Sequence, residues 1–198
     1  MILVHGRGAT AEDILLTCRG LVRPGFAFLA PQAAGNAWYP YGFMEPLERN
    51  EPWLSSALDL LAGLLRRVEE TVPAARVILL GFSQGACLTL EFAARNARRH
   101  GAVVGLSGGL IGTDGTPRDY PGSLAGTPVL LGCSDVDPHI PATRVVESGE
   151  VLRGLGGNVE VHLYPGMGHE VSGEELRLVG RLMAALERRD EVGEAASR

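Results

Sequence analysis

Cysteine is scarce in this chain: three in 198 residues, Cys18, Cys87 and Cys133, an odd number with no CxxC spacing. That excludes a disulfide framework and a thiolate zinc site. Cys87 and Cys133 lie in apolar segments, where a small buried thiol is the ordinary reading, and the pattern fits a reducing compartment. No basic run is present, and 18 Lys and Arg against 23 Asp and Glu leave a formal charge of only −5, which excludes a nucleic-acid-binding surface read from charge. No apolar stretch approaches the roughly 20 residues that a membrane span needs. The run at Met1 lacks the basic flank and cleavage pattern of a secretion signal. The chain therefore reads as soluble and cytoplasmic. Internal repeats and low-complexity segments are absent, and the length suits one domain over residues 1–198, with a loose, charged tail over 188–198.

What is there is an alternation of short apolar runs with longer helical patterns. Met1 to Val4, Phe26 to Ala30, Val77 to Leu80, Ala102 to Leu106, Pro128 to Leu131 and Val159 to Tyr164 read as strands. Thr10 followed by Ala11-Glu12-Asp13 opens a helix expected to reach Val22. Leu54, Leu58, Leu61, Leu65, Val68 and Val72 form one apolar helical face that Pro73 ends. Further helices are expected from Gly85 to His100, from Pro141 to Leu155, and from a capping box at Ser172 and Glu175 onward. Continuous apolar strands separated by helices imply a mainly parallel sheet of six or seven strands covered on both faces. Such sheets bind ligands beyond the carboxyl ends of their strands.

The chemistry-bearing residues fall at those ends. Gly81-Phe82-Ser83-Gln84-Gly85 is a G-x-S-x-G directly after a strand and before a helix, the context of a nucleophile elbow. A serine hydroxyl needs a base, and His169 sits in the small-residue loop Gly166-Met167-Gly168-His169 past the last strand. His162 in mid-strand, His100 among arginines and His139 in a turn are weaker candidates. The base needs an orienting carboxylate, and Asp135 and Asp137 both follow the strand that starts at Pro128. His5-Gly6-Arg7-Gly8 after the first strand offers backbone donors: the amides of Arg7 and Gln84 are the expected oxyanion hole, with His5 bracing the loop. The Pro31 to Pro52 loop carries Trp38, Tyr39, Tyr41, Phe43 and Met44 as a pocket wall, and Leu110 and Ile111 extend it.

These pieces together resemble the carboxylesterase/phospholipase family of α/β-hydrolases, which includes acyl-protein thioesterases. The resemblance rests on the His5-Gly6 loop, Gly81 to Ala86, Leu106-Ser107-Gly108, Asp135 to Pro141 and Gly166 to His169. A bacterial esterase branch is closer still, through His5-Gly6-Arg7-Gly8-Ala9 and the Pro31 to Pro40 segment with Trp38-Tyr39-Pro40. The resemblance implies a three-layer α/β-hydrolase fold in a minimal form without a large lid. It makes Ser83 the nucleophile, His169 the base and Asp137, immediately before a proline, the acid. It also maps the first oxyanion donor to Arg7. Members usually carry extra strand material ahead of the His-Gly loop, so the sheet is minimal at that edge or the native start lies upstream of Met1.

The expected activity is a serine carboxylesterase on small, short-chain acyl or aryl esters, needing no metal or organic cofactor. A thioesterase or lysophospholipase acting on longer acyl chains is the alternative. A remote third reading is a ligand-binding protein that keeps the fold without turnover. The expected partner is a small-molecule ester, and a homodimer is permitted by the apolar loop residues.

Overall fold

The computed structural model describes residues 1–195, with side chains to residue 188. The loose tail expected over 188–198 therefore lies outside the residues whose side chains are described. Five strands form one all-parallel sheet in chain order: β1 (Ile2–Val4), β2 (Ile78–Phe82), β3 (Ala102–Leu106), β4 (Pro128–Ser134) and β5 (Asn158–Tyr164). The helices are α1 (Ala11–Thr17), α2 (Trp53–Glu69), α3 (Gln84–Arg95), α4 (Ala142–Gly154) and α5 (Gly173–Ala195).

Because the strands progress in one direction, right-handed crossovers place the connecting helices on one face. Ile2, Val4, Leu79, Val103, Val129 and Leu131 point to that face and share a core with buried residues of α2, α3 and α4. The intervening residues Leu3, Ile78, Leu80, Val104, Leu106 and Leu130 face the other way. That face is covered by the first and last helices, through Ile14 of α1 and Leu178, Val179, Met183 and Leu186 of α5. The layering is helix, sheet, helix, and the buried strands explain why the sequence shows continuous apolar runs rather than alternation.

The sheet has fewer strands than the six or seven expected. The segment read as a strand from Phe26 to Ala30 makes only a single bridge, Leu29 to Ile2. Leu3 donates to the Leu29 carbonyl at 2.8 Å and Leu29 to the Met1 carbonyl at 2.9 Å. Beta propensity was present, but β1 is three residues long and offers too short a ladder to extend. The first helix also ends earlier than expected: α1 stops at Thr17 and a 3-10 turn follows at Arg19–Leu21. Helix α3 stops at Arg95 rather than His100, and the next stretch bridges Ala97 to Gly122.

The register aligns the carboxyl ends. Val4 lies beside Gly81, Phe82 beside Leu106, Leu106 beside Gly132 and Ser134 beside Tyr164. Loops bearing His5, Ser83, Asp137 and His169 therefore leave the same edge of the sheet.

Candidate active site

Ser83 sits between β2 and α3 with φ 55° and ψ −123°, a left-handed conformation that costs a non-glycine residue about 1–3 kcal/mol. Its neighbours in the motif make the turn possible. A Cβ on Gly81 would collide with the Gly85 carbonyl, and a Cβ on Gly85 would collide with the carbonyls of Val4 and His5. The two glycines let the start of α3 pass directly over β2 and β1. The Ser83 amide donates to the Leu106 carbonyl at 2.9 Å, and the Ser83 carbonyl accepts from Cys87 at 3.0 Å. The strained turn is thus fixed from both sides.

Three side chains from three loops form one hydrogen-bonded chain. Ser83 Oγ lies 2.8 Å from His169 Nε2, and His169 Nδ1 lies 2.7 Å from Asp137 Oδ2. The Asp137 side chain is fully buried. Its other oxygen accepts from the amides of His139 at 2.8 Å and Ile140 at 3.0 Å. The Cys133 thiol approaches Oδ2 at 3.7 Å. Burial pushes the Asp137 carboxyl up, but the hydrogen bonds from His169, His139 and Ile140 outweigh it and hold it below its usual value. An ionised Asp137 accepts only, so His169 carries its proton on Nδ1 and leaves Nε2 to accept from the Ser83 hydroxyl.

The depressed carboxyl has a consequence for stability. An acid whose folded pKa is lowered stabilises the fold above its unfolded pKa, about 3.9, and this contribution disappears as pH falls through the folded value. Asp137→Asn is therefore expected to be less stable than the wild type at pH 7. Denaturant melts should show the difference narrowing below about pH 4. A difference that stayed constant from pH 7 to pH 3 would contradict this.

The competing aspartate has a different place. Asp135 accepts from the Gly166 amide at 2.8 Å, and its own amide donates to the Tyr164 carbonyl at 3.2 Å. It ties the Asp137 loop to the loop that carries His169. His5 is fully buried and braces its loop. Nδ1 meets the Gly6 carbonyl at 2.8 Å, and Nε2 accepts from the Ala33 amide at 3.1 Å.

Among the described residues, the main-chain N–H groups of Arg7 and Gln84 make no hydrogen bond, and both residues line the same cleft as Ser83. Their side chains do separate work that the sequence did not reveal. The Arg7 guanidinium donates to the carbonyls of Tyr39 (2.9 Å), Pro40 (2.8 Å) and Tyr41 (2.6 Å). The Gln84 amide group accepts from the Trp38 N–H at 3.0 Å and donates to the Tyr39 carbonyl at 2.8 Å. Both residues clamp the aromatic loop against the elbow.

The cleft has a volume of about 350 Å³ and is lined by Arg7, Tyr39, Gly42, Phe43, Ser83, Gln84, Cys87, His139, Ile140 and His169. Of the four side chains expected to form the substrate wall, Tyr39 is there. Trp38 and Leu110 are buried in the core instead: Trp38 packs on His5 with ring centroids 4.8 Å apart and donates to its carbonyl. Tyr41 is exposed beneath the Arg49 guanidinium, 4.3 Å from its ring centroid, and does not line the cleft. The reason is chain direction: the clamps on the carbonyls at 39–41 turn alternate side chains inward and outward.

Cys87, His139 and Ile140 were not expected in the wall. Cys87 could have been found from its spacing, one helical turn after Ser83. His139 was read as a turn residue; its amide does hold Asp137, and its ring also stands edge-on to His169 at 4.9 Å. Among the described residues, no group of three or more His, Cys, Asp or Glu side chains is placed to hold a metal ion. Nor is any helix among them long and apolar enough to cross a membrane.

A parallel sheet between helical layers, with a strained serine turn after β2, defines an α/β-hydrolase. The phospholipase/carboxylesterase family model matches residues 1–186, and the chain belongs to that family. It is a hydrolase of the α/β-hydrolase serine type. A solved phospholipase/carboxylesterase from Dyadobacter fermentans is 42% identical and superposes with a TM-score of 0.88, over 92% of this chain and 88% of that one. Acyl-protein thioesterase 1 of the yeast Debaryomyces hansenii is 28% identical over 200 residues, covering 89% of this chain and 86% of its own. A probable carboxylesterase from rice, Oryza sativa subsp. japonica, is 32% identical over 130 residues, which span 62% of this chain and 46% of that protein.

Proposed function

We propose that the chain is a serine carboxylesterase that hydrolyses small esters of short acyl or aryl acids through an acyl-enzyme on Ser83. The observation that carries this reading is the unbroken hydrogen-bond chain from Ser83 Oγ through the His169 ring to a buried Asp137. In the first step Ser83 Oγ attacks the ester carbonyl while His169 Nε2 takes the hydroxyl proton. The carbonyl oxygen becomes an oxyanion facing the free amides of Arg7 and Gln84; one such donor is typically worth about 3 kcal/mol in the transition state. Asp137 holds the ring and stabilises the imidazolium without taking its proton. The tetrahedral intermediate collapses, His169 gives the proton to the leaving alkoxide, and an alcohol departs. Water then attacks the acyl-enzyme with His169 again as base, releasing the acid and restoring Ser83.

The size of the site supports a small substrate. A cavity of about 350 Å³ lies near the lower end of the range for ligand pockets, roughly 300–1,000 Å³. Phe43 and Tyr39, both nearly buried, wall it in. The similarity to an acyl-protein thioesterase favours the second reading, a thioesterase on longer acyl chains. Rates on p-nitrophenyl esters from acetate to palmitate, with matched thioesters, separate the two. Under the first reading kcat/KM peaks at short chains and a fluorophosphonate labels the wild-type protein. A profile rising toward palmitate would replace it with the second, and absence of both turnover and label would remove both.

A further inference from the structure

The floor of the cleft holds a polar group that the reaction does not use. Tyr39 is 1% exposed and lines the cleft, and its hydroxyl is buried without a hydrogen-bonding partner among the described residues. The polar atom beside it is the sulfur of Cys87, itself fully buried, in the same wall and a weak acceptor. That sulfur is already engaged by the Gly109 amide at 3.5 Å. A buried hydroxyl without a strong partner is unfavourable, whereas the neighbouring wall residues Phe43 and Ile140 ask nothing polar of a ligand. The phenol cannot turn away to find water, because the Tyr39 carbonyl is held by both Arg7 and Gln84.

The position of Tyr39 relative to the reacting atoms tells which half of the ester it meets. The leaving alcohol must receive its proton from His169 Nε2, so it lies on the side of His169 and His139. Tyr39 is tied instead to Arg7 and Gln84, the residues whose amides face the carbonyl oxygen. Cys87 lies one helical turn below Ser83 on α3, so this end of the cleft runs beneath the nucleophile. We infer that Tyr39 and Cys87 close the acyl end of the pocket, and that the Tyr39 hydroxyl selects acyl groups carrying an ether, keto or hydroxyl oxygen over plain alkyl chains of equal length. This rests on the proposed Ser83 mechanism and names its substrate class more closely.

The test uses two near-isosteric pairs of p-nitrophenyl esters: methoxyacetate with butyrate, and 4-oxopentanoate with pentanoate. The ratio of kcat/KM within each pair is measured for the wild type and Tyr39→Phe, so that intrinsic reactivity cancels between enzymes. The expected result is that at least one pair favours the oxygenated acyl group about fivefold to tenfold more in the wild type than in Tyr39→Phe. Turnover of the plain alkyl esters should be retained in the variant. Its melting temperature should be unchanged or higher, since a hydroxyl without a protein partner is lost. Equal ratios in both enzymes overturn the inference, as does a clear fall in melting temperature, which would mean the hydroxyl serves the fold. Ser83→Ala is run alongside. Turnover that depends on Ser83 with flat ratios removes this inference alone; turnover that survives in Ser83→Ala removes the mechanism and the inference together.

Discussion

Ser83→Ala is expected to lower kcat by about 10⁴-fold to 10⁶-fold while leaving the fold intact. The geometry explains the size. Ser83 Oγ is the atom 2.8 Å from His169 Nε2, and alanine leaves the base with nothing to activate at the point where the carbonyl would sit. Residual turnover should come from the Arg7 and Gln84 amides and from substrate positioning, which act without the hydroxyl. The backbone at position 83 keeps its φ of 55° in the variant, so the strain is unchanged and the melting temperature should stay close to that of the wild type. A kinetic assay on a short p-nitrophenyl ester, paired with a thermal melt, checks both halves. A variant within tenfold of wild type would rule out Ser83 as the nucleophile.

Gly85→Ala should be the costliest single methyl group in the molecule. Its Cβ would run into the Val4 carbonyl and lie 2.5 Å from the His5 carbonyl, both main-chain atoms that cannot rotate aside. Helix α3 would have to lift off β1, which would also displace Ser83 and the Gln84 amide. Overpacking against rigid backbone at this site is expected to cost about 3–5 kcal/mol. For a chain of this size that is a fall in melting temperature of roughly 6–20 °C. Activity should be lost in whatever fraction still folds. Gly154→Ala is the control: no atom lies within 4 Å of its added Cβ, and φ there is not positive, so the change should be neutral or slightly stabilising. Calorimetry on the two variants decides it, and equal melting temperatures would contradict the packing argument.

Much of the fold was legible because its signals are local. Continuous apolar runs at 78–82, 102–106 and 128–134 are the mark of strands buried on both faces, and Pro73 and the capping box at Ser172 and Glu175 bound their helices. The G-x-S-x-G was legible for the same reason, since its glycines answer to a turn within five residues of chain. The strand expected at Phe26–Ala30 failed because pairing is not local: propensity there was adequate, but its only neighbour was the three-residue β1.

The site divides along the same line. The sequence by itself determined which residue types stand after each strand, and so that Ser83, His169 and one of two aspartates would meet at one edge. Only the tertiary structure decided between Asp137 and Asp135: a register across β4 and β5 puts one carboxylate on His169 and the other on the Gly166 amide. It alone decided that Tyr39 faces the cleft while Trp38 and Leu110 join the core. That outcome depends on carbonyls gripped from Arg7 and Gln84, contacts spanning more than thirty residues of chain that no periodicity records. Local spacing fixes the turn a residue makes, whereas the direction its side chain takes is set by partners that folding brings from elsewhere.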